Sequence, residues 1–272
     1  MVVADRWHDG GPYERYIGRW SRPVADRFLE SLDAERGIRW VDVGCGTGAL
    51  TAAVVERYAP SSIVGVDPSE GFLAAARDRP GIVGRPEVRF VVGDAQHLPL
   101  PDGAADAVVS GLVLNFVPDA AAAVAEFSRV AAPGGLIAAY VWDYSGGMRM
   151  LRHFWDAAAA VDPAAVALDE GRRFPICDPQ PLRDLWSAAP GMDGDSVRVD
   201  AIDVETVFSD FDDLWSPFLG GQGPAPSYLA SATDAARTAV RDRMRATVEP
   251  ATRPDGSIAL NARAWAIVGR RS

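Results

Sequence analysis

Along this chain the apolar positions switch repeatedly between two periods, and the switches lay out the elements. Ile38 to Val43 is a short apolar run interrupted by polar residues, the pattern of a buried strand. From Ala49 the spacing turns helical, with Leu50, Val54, Val55 and Tyr58 recurring on one face. The exchange then repeats. A strand at Ser62 to Val66 precedes a helix at Glu70 to Arg77, whose Phe72, Leu73 and Ala76 are expected to face a sheet. Pro80, Gly81, Gly84 and Pro86 mark a loop into a third strand, Val88 to Val92. Ala105 to Ser110 reads as a fourth strand and Pro118-Asp119 as the start of a helix. Pro133-Gly134-Gly135 ends that helix, and Leu136 to Trp142 is a fifth strand. Strand and helix alternating in this way predict an α/β fold, doubly wound around a mostly parallel sheet.

The flanks are less regular. Val24, Phe28 and Leu32 make an apolar stripe that predicts a helix from Arg22 or Pro23. Beyond Trp142 the spacing predicts helices at Met148 to Val161 and Pro179 to Ala189, then a sixth strand at Val197 to Phe208. One long helix should carry Leu229, Ala232, Ala236, Val240, Met244 and Val248 on one face. Ile258, Leu260, Ala262, Ala264 and Ala266 alternate as a closing strand. The expectation is a single domain over 1–272, with residues 1–35 as an N-terminal cap segment. Insertions at 145–178 and 209–226 are expected to form a partly helical substrate cover.

The chemistry concentrates at the first strand–helix junction. Gly44, Gly46 and Gly48 fall at alternate positions, more glycine than a tight turn needs. Such a turn is expected to bring bare backbone N–H groups and a helix N-terminus up to a ligand. Gly44, Gly46 and Ala49 also fit the G-x-G-x-x-A pattern of a dinucleotide site. Asp42 argues against that, because a carboxylate two residues before the first glycine suits a cationic group better than a pyrophosphate. Asp67 ends the second strand, where an acid can accept both hydroxyls of a ribose. Asp94 follows the third. Three acids and no basic residue at three consecutive strand ends fit a nucleoside carrying a cation.

The stretches DVGCGTG, GVDPSE, GDAQHLPLPDGAADAVVS, LNFVPD and RVAAPGGLIAAYVWD resemble, in this order, the motifs of class I S-adenosylmethionine-dependent methyltransferases, and most closely the small-molecule type 11 group. The resemblance covers residues 38 to 142. It implies a Rossmann-like seven-stranded sheet of order 3-2-1-4-5-7-6, with the last strand antiparallel beside the fifth. It implies S-adenosylmethionine as cofactor, with Gly44 to Gly48 around the methionine part, Asp67 on the ribose, and Asp94 with Ala95 at the adenine edge. Asp42, Cys45, Gly46, Pro68, Gln96, Gly111 and Asn115 complete the expected cofactor-binding set. Tyr13, Tyr16 and Arg19 would close over the cofactor, as the N-terminal segment often does in that family. The implied reaction moves a methyl group to an O-, N- or C-nucleophile of a small, partly apolar metabolite by in-line displacement. Trp155, Phe211, Trp215 and Phe218 of the insertions are the expected substrate-lining residues.

Composition narrows the field further. A net charge of −10 over 272 residues argues against a phosphate-backbone partner, so no nucleic acid is expected. All 27 basic residues are arginine, which removes lysine Schiff-base chemistry and a P-loop lysine. Cys45 and Cys177 form neither a disulfide framework nor a metal site by spacing, and no metal is expected. The opening residues lack an apolar signal core and no run is long enough to span a bilayer, so a cytoplasmic protein is expected. Oligomeric state is left open. Of the three histidines, His97 reads as an exposed loop residue, and Asn115 stands where many relatives carry a histidine. His8 and His153 are therefore the candidates for a catalytic base, which is required only if the nucleophile must lose a proton. The alternatives are a nicotinamide-dependent oxidoreductase on the same fold and a non-catalytic cofactor-binding protein. Asp42 with Asp94, and the missing Tyr-x-x-x-Lys pair, speak against the first.

Overall fold

The computed structural model describes residues 19–220 and 223–272. Helix α1 (Arg19–Ser31) begins three residues before the expected start and carries Pro23 inside it. Its stripe of Val24, Phe28 and Leu32 is buried as the spacing requires. Strand β1 (Arg39–Val43) buries every residue after Arg39. Helix α2 (Ala49–Tyr58) follows the glycine turn and buries Leu50, Thr51, Val54, Val55 and Tyr58. Strand β2 (Ser62–Asp67) leads to helix α3 (Glu70–Arg77), where the Ser69 side chain caps the Phe72 N–H. Leu73 and Ala76 of that helix are buried, whereas Phe72 is only half-buried.

Strands β3 (Val88–Val92) and β4 (Ala105–Gly111) follow, and Asp119 caps helix α4 (Ala120–Val130). Strand β5 (Ala131–Trp142) starts earlier than expected. Its register against β4 jumps from Ala105↔Ala131 to Ala107↔Leu136, so the Pro-Gly-Gly segment bulges out within the strand. Gly134 supplies the left-handed turn there, at φ 73°.

Helices α5 (Arg149–Val161), α6 (Glu170–Arg173) and α7 (Pro179–Ser187) precede strand β6 (Met192–Phe208), which is longer than expected. Then come α8 (Phe211–Trp215), α9 (Pro224–Ser231), α10 (Asp234–Val248) and β7 (Ile258–Arg271). The single long helix expected across 229–248 is thus two helices. Thr233 has extended backbone and its hydroxyl accepts the Ala236 N–H, so it starts a new helix instead of continuing the old one. Val240, Met244 and Val248 are buried on α10, while Leu229 is buried on α9.

The seven strands form one sheet of order β3-β2-β1-β4-β5-β7-β6. The neighbours from β3 through β5 run parallel, with Val41 opposite both Val64 and Val108. Val43 pairs with Val66 and Asp67 with Val92, so the carboxyl ends of β1, β2 and β3 share one edge. In an open α/β sheet that edge is where ligands bind.

By contacts the chain divides into two compact units. One comprises Val24–Val141, Ile176–Ile202 and Trp265–Ser272, and includes the parallel strands and the glycine turn. Its interior includes Phe28 against Tyr140 and Phe127 against Trp186, at ring separations of 4.6 and 6.4 Å. The other comprises Trp142–Pro175 and Asp203–Ala264 together with residues 19–23. Phe154 lies at the centre of its aromatic interior, stacked on Phe218 at 4.5 Å and within 6.4 Å of Trp155, Trp215 and Tyr228. No helix among the described residues is long and apolar enough to cross a membrane.

Candidate functional site

The glycine turn is built as its spacing requires, with Gly44, Gly46 and Gly48 at φ 71°, 52° and 78°. The three glycines do different work. A Cβ at Gly44 would meet Val113 at 2.5 Å, and one at Gly48 would stand 3.0 Å from Ile82, so these two allow close packing. A Cβ at Gly46 meets nothing within 4 Å, which leaves Gly46 as the open face of the turn.

Four of the turn's N–H groups are engaged within the protein. Gly44 and Cys45 both donate to the Val66 carbonyl, at 2.7 and 3.1 Å, and Gly48 donates to the Cys45 carbonyl at 2.8 Å. The Gly46 N–H is held by Asp67 Oδ2 at 3.0 Å. Positive φ values turn these amides back onto β2 instead of outward. With these four donors engaged, the turn offers chiefly its shape and the carboxylates beside it.

Those carboxylates are buried. Asp67 accepts from Gly46 on one oxygen and from the Ser69 N–H, at 2.9 Å, on the other. Burial pushes its carboxyl above the usual range, while the two backbone donors act the other way. Each oxygen has a second acceptor position for a ligand hydroxyl. Asp42 is 1% exposed, and its Oδ2 accepts the Thr51 hydroxyl at 2.6 Å. Its Oδ1 is buried with no partner, and burial raises its pKa to about 7, with the neighbouring Asp67 charge adding to the rise. Cys45 is a buried small residue whose thiol is pushed up, chiefly by burial.

Asp94 is exposed. Its carboxylate takes the Gln96 N–H at 2.9 Å and the Gln96 side-chain amide at 3.1 Å, which hold its pKa below the ordinary range. Gln96 in turn accepts the Asp119 N–H at 3.0 Å, tying this corner to the start of α4. Ala95 is buried, Pro68 is exposed, and His97 is exposed as expected. After β4 the chain turns sharply: Gly111 packs where a Cβ would lie 2.6 Å from the Tyr140 hydroxyl, and Leu112 takes φ 61°, rare for a side-chain-bearing residue. This turn delivers Val113 to Gly44 and buries Asn115, whose Nδ2 has no partner. Leu112, Val113 and Arg79 belong to this neighbourhood and went unnoticed in the sequence. Leu112 gives no signal, since its backbone angle is imposed by packing.

In the other unit His153 is half-buried, with Nδ1 3.2 Å from the Thr247 hydroxyl. Burial, then the charge of Arg149, lowers its pKa, so it is neutral near pH 7. Trp155, Phe211, Trp215 and Phe218 are brought together, each at most 6% exposed. All four pack ring against ring with Phe154 or with one another. Trp155 also donates to the buried carboxylate of Glu170 and lines a recess of about 310 Å³ with Arg152, Asp156 and Asp169. His8 and Tyr16 lie outside the described residues, and Arg19 opens α1 with its side chain outside them.

With this geometry in view, the chain can be set beside known proteins. A family model for the methyltransferase domain, of type 11, matches residues 41–139. Malonyl-[acyl-carrier protein] O-methyltransferase of Geobacter sulfurreducens is 40% identical over 140 residues, 50% of this chain and 51% of that protein. Trans-aconitate 2-methyltransferase of Variovorax paradoxus is 33% identical over 126 residues, 46% of each chain. The chain therefore spans about half the length of the curated relatives it matches. The phosphoethanolamine N-methyltransferase 2 of Haemonchus contortus, solved in complex with S-adenosyl-L-methionine, shares the fold. Its TM-score is 0.59 at 14% identity, over 100% of this chain and 60% of that one. Residues 41–139 thus match a type 11 methyltransferase domain, and the chain is similar to methyltransferases in sequence and in fold.

Proposed function

We propose that this protein transfers a methyl group from S-adenosylmethionine to a small-molecule acceptor. The observation that carries the reading is the character of the glycine turn. Its Gly44, Cys45, Gly46 and Gly48 N–H groups are already engaged, and the charges beside it are the buried carboxylates of Asp42 and Asp67. A pyrophosphate needs free donors at the turn and no acid such as Asp42 beside them, whereas Asp67 at the end of β2 suits a ribose in either cofactor. A nucleoside bearing a sulfonium fits: Asp67 retains acceptor capacity for ribose hydroxyls, Asp42 Oδ1 is an unpaired acceptor, and Gly46 presents an open face.

Bound there, S-adenosylmethionine supplies an electrophilic methyl group. The protein's part is alignment of donor and acceptor and exclusion of water. His153, neutral near pH 7 by the direction of its shift, has the protonation state a base requires. The two curated relatives named above are, by their names, methyltransferases of malonyl-[acyl-carrier protein] and of trans-aconitate, which supports a small-molecule acceptor here.

The test has two stages. Calorimetry should show binding of S-adenosylhomocysteine and far weaker binding of NADH. Labelled-methyl transfer over a metabolite panel should then yield a product. Tight NADH binding with no S-adenosylhomocysteine binding would move the protein to nicotinamide chemistry, while cofactor binding without transfer to any acceptor would favour a sensor or scaffold.

A further inference from the structure

The glycine turn is braced from a loop that belongs to none of the strand-end acids. Arg79, just past the end of α3, donates from Nε to the Thr47 carbonyl at 2.7 Å and from Nη2 to the Thr47 hydroxyl at 3.2 Å. Thr47 stands between Gly46 and Gly48, two of the three residues whose left-handed backbone shapes the turn. The same loop makes a second contact. The Arg79 carbonyl accepts the N–H groups of Ile82 and Val83, at 3.0 and 3.2 Å, and this curl drives buried Ile82 against Gly48.

We infer that Arg79 is a positioning residue for cofactor binding, acting through the Thr47 carbonyl. The reasoning is one of degrees of freedom. Glycine on either side leaves the Thr47 peptide free to rotate, because neither neighbour restricts φ to one region. On the Gly46 side the turn is tied to Asp67, and the Thr47–Gly48 peptide is tied through the Gly48 N–H to the Cys45 carbonyl. Without Arg79 that peptide is held from its N–H side alone, the open face at Gly46 is less firmly shaped, and cofactor binding has to bear more of the ordering cost. A guanidinium suits the task because its planar fork fixes a carbonyl and a hydroxyl together, which an ammonium cannot do. This inference rests on the cofactor reading above and adds to it a residue outside the glycine and acid motifs.

The experiment is calorimetric titration of the full chain with S-adenosylhomocysteine, for wild type, Arg79→Ala, Arg79→Lys and Thr47→Val, with the melting temperature of each ligand-free protein. Loss of the fork in Arg79→Ala should raise Kd about tenfold, equivalent to about 1.4 kcal/mol, with no matching fall in melting temperature. Arg79→Lys, which can still donate once to the carbonyl, should fall between. Thr47→Val, which keeps the carbonyl and loses only the longer bond, should weaken binding less than Arg79→Ala does. Once an acceptor is in hand, Arg79→Ala should raise the cofactor KM and leave kcat unchanged. Wild-type affinity in Arg79→Ala overturns the inference, and so does a fall in melting temperature with affinity intact, which would make Arg79 a purely structural brace. Should Arg79→Ala not fold, Arg79→Lys carries the same comparison, and wild-type affinity there overturns it as well. Absence of binding by the wild type would instead refute the cofactor reading, so the two failures are separable.

Discussion

Asp42→Asn should make the protein more stable above neutral pH while leaving it little changed in acid. Asp42 is 1% exposed, its Oδ1 is unpartnered, and its pKa is raised from 3.8 to about 7, chiefly by burial. A folded-state pKa above the unfolded value means that the native state binds the extra proton. Stability therefore falls as pH rises from about 4 to about 7, and the loss is complete above the folded value. A span of about three pH units at about 1.36 kcal/mol each gives a loss on the order of 4 kcal/mol. Asparagine has the same shape, can still accept the Thr51 hydroxyl and never ionises, so the variant lacks this term. Urea titrations of both proteins at pH 5, 6, 7 and 8 would measure it. The stability gap between variant and wild type should widen with pH and level off above pH 7. Parallel curves would refute the reasoning, because they would mean that Asp42 is already ionised and solvated in the folded protein. The stabilised variant should also bind S-adenosylmethionine more weakly at pH 8, since the carboxylate that costs stability is the one that suits a cation.

Glu170→Gln should flatten the pH profile in the same sense, because burial raises Glu170 to about 7; urea titration should show a gain on the order of 3 kcal/mol above pH 7. Gly44→Ala should be strongly destabilising, since its Cβ would strike Val113 at 2.5 Å in a left-handed backbone. Gly46→Ala, with nothing within 4 Å, should cost only about 1–2 kcal/mol of backbone strain yet abolish cofactor binding, measured by thermal melts and calorimetry on the pair. Phe154→Ala should cost about 3–5 kcal/mol by opening the aromatic interior; a denaturation midpoint unmoved by this change would mean that the ring cluster is loosely packed.

What the sequence revealed, and what it hid, divides along a physical line. The central strands around the glycine turn were legible because burial on both faces of a parallel sheet demands near-continuous apolar blocks, as in Ser62 to Val66. Val88 to Val92, at the sheet edge, was legible by its valines although it is only partly buried. The acids Asp42 and Asp67 were legible for the same reason, being charges at the ends of apolar runs. Whether the turn's amides were free was not legible. That depends on which way each peptide plane rotates, and three glycines permit either rotation. Arg79 was hidden because nothing local distinguishes it from the arginines at 77 and 85, both of which sit in surface ion pairs.

Beyond Trp142 the signal changes kind. Helical spacing located Met148 to Val161 within one residue, but spacing reports that a face is buried and not against what. Phe154, Trp155, Trp215 and Phe218 were therefore open to two readings, lining a pocket or packing on each other; the ring separations of 4.5 to 6.4 Å around Phe154 give the packing, and Trp155 also lines a recess. The break at Thr233 was readable, since a threonine followed by Asp-Ala-Ala is an N-cap signal, yet the apolar stripe across it outweighed the cap. Glu170 lay beyond any pattern. It stands in the polar run Asp169 to Arg173, where a carboxylate is ordinarily solvated, and is buried because the indole of Trp155, fifteen residues earlier, donates to it. A long-range partner can reverse the expectation for a charged residue that every local rule places in water, and buried acids of this kind should be sought wherever a tryptophan N–H has no other acceptor within its own helix.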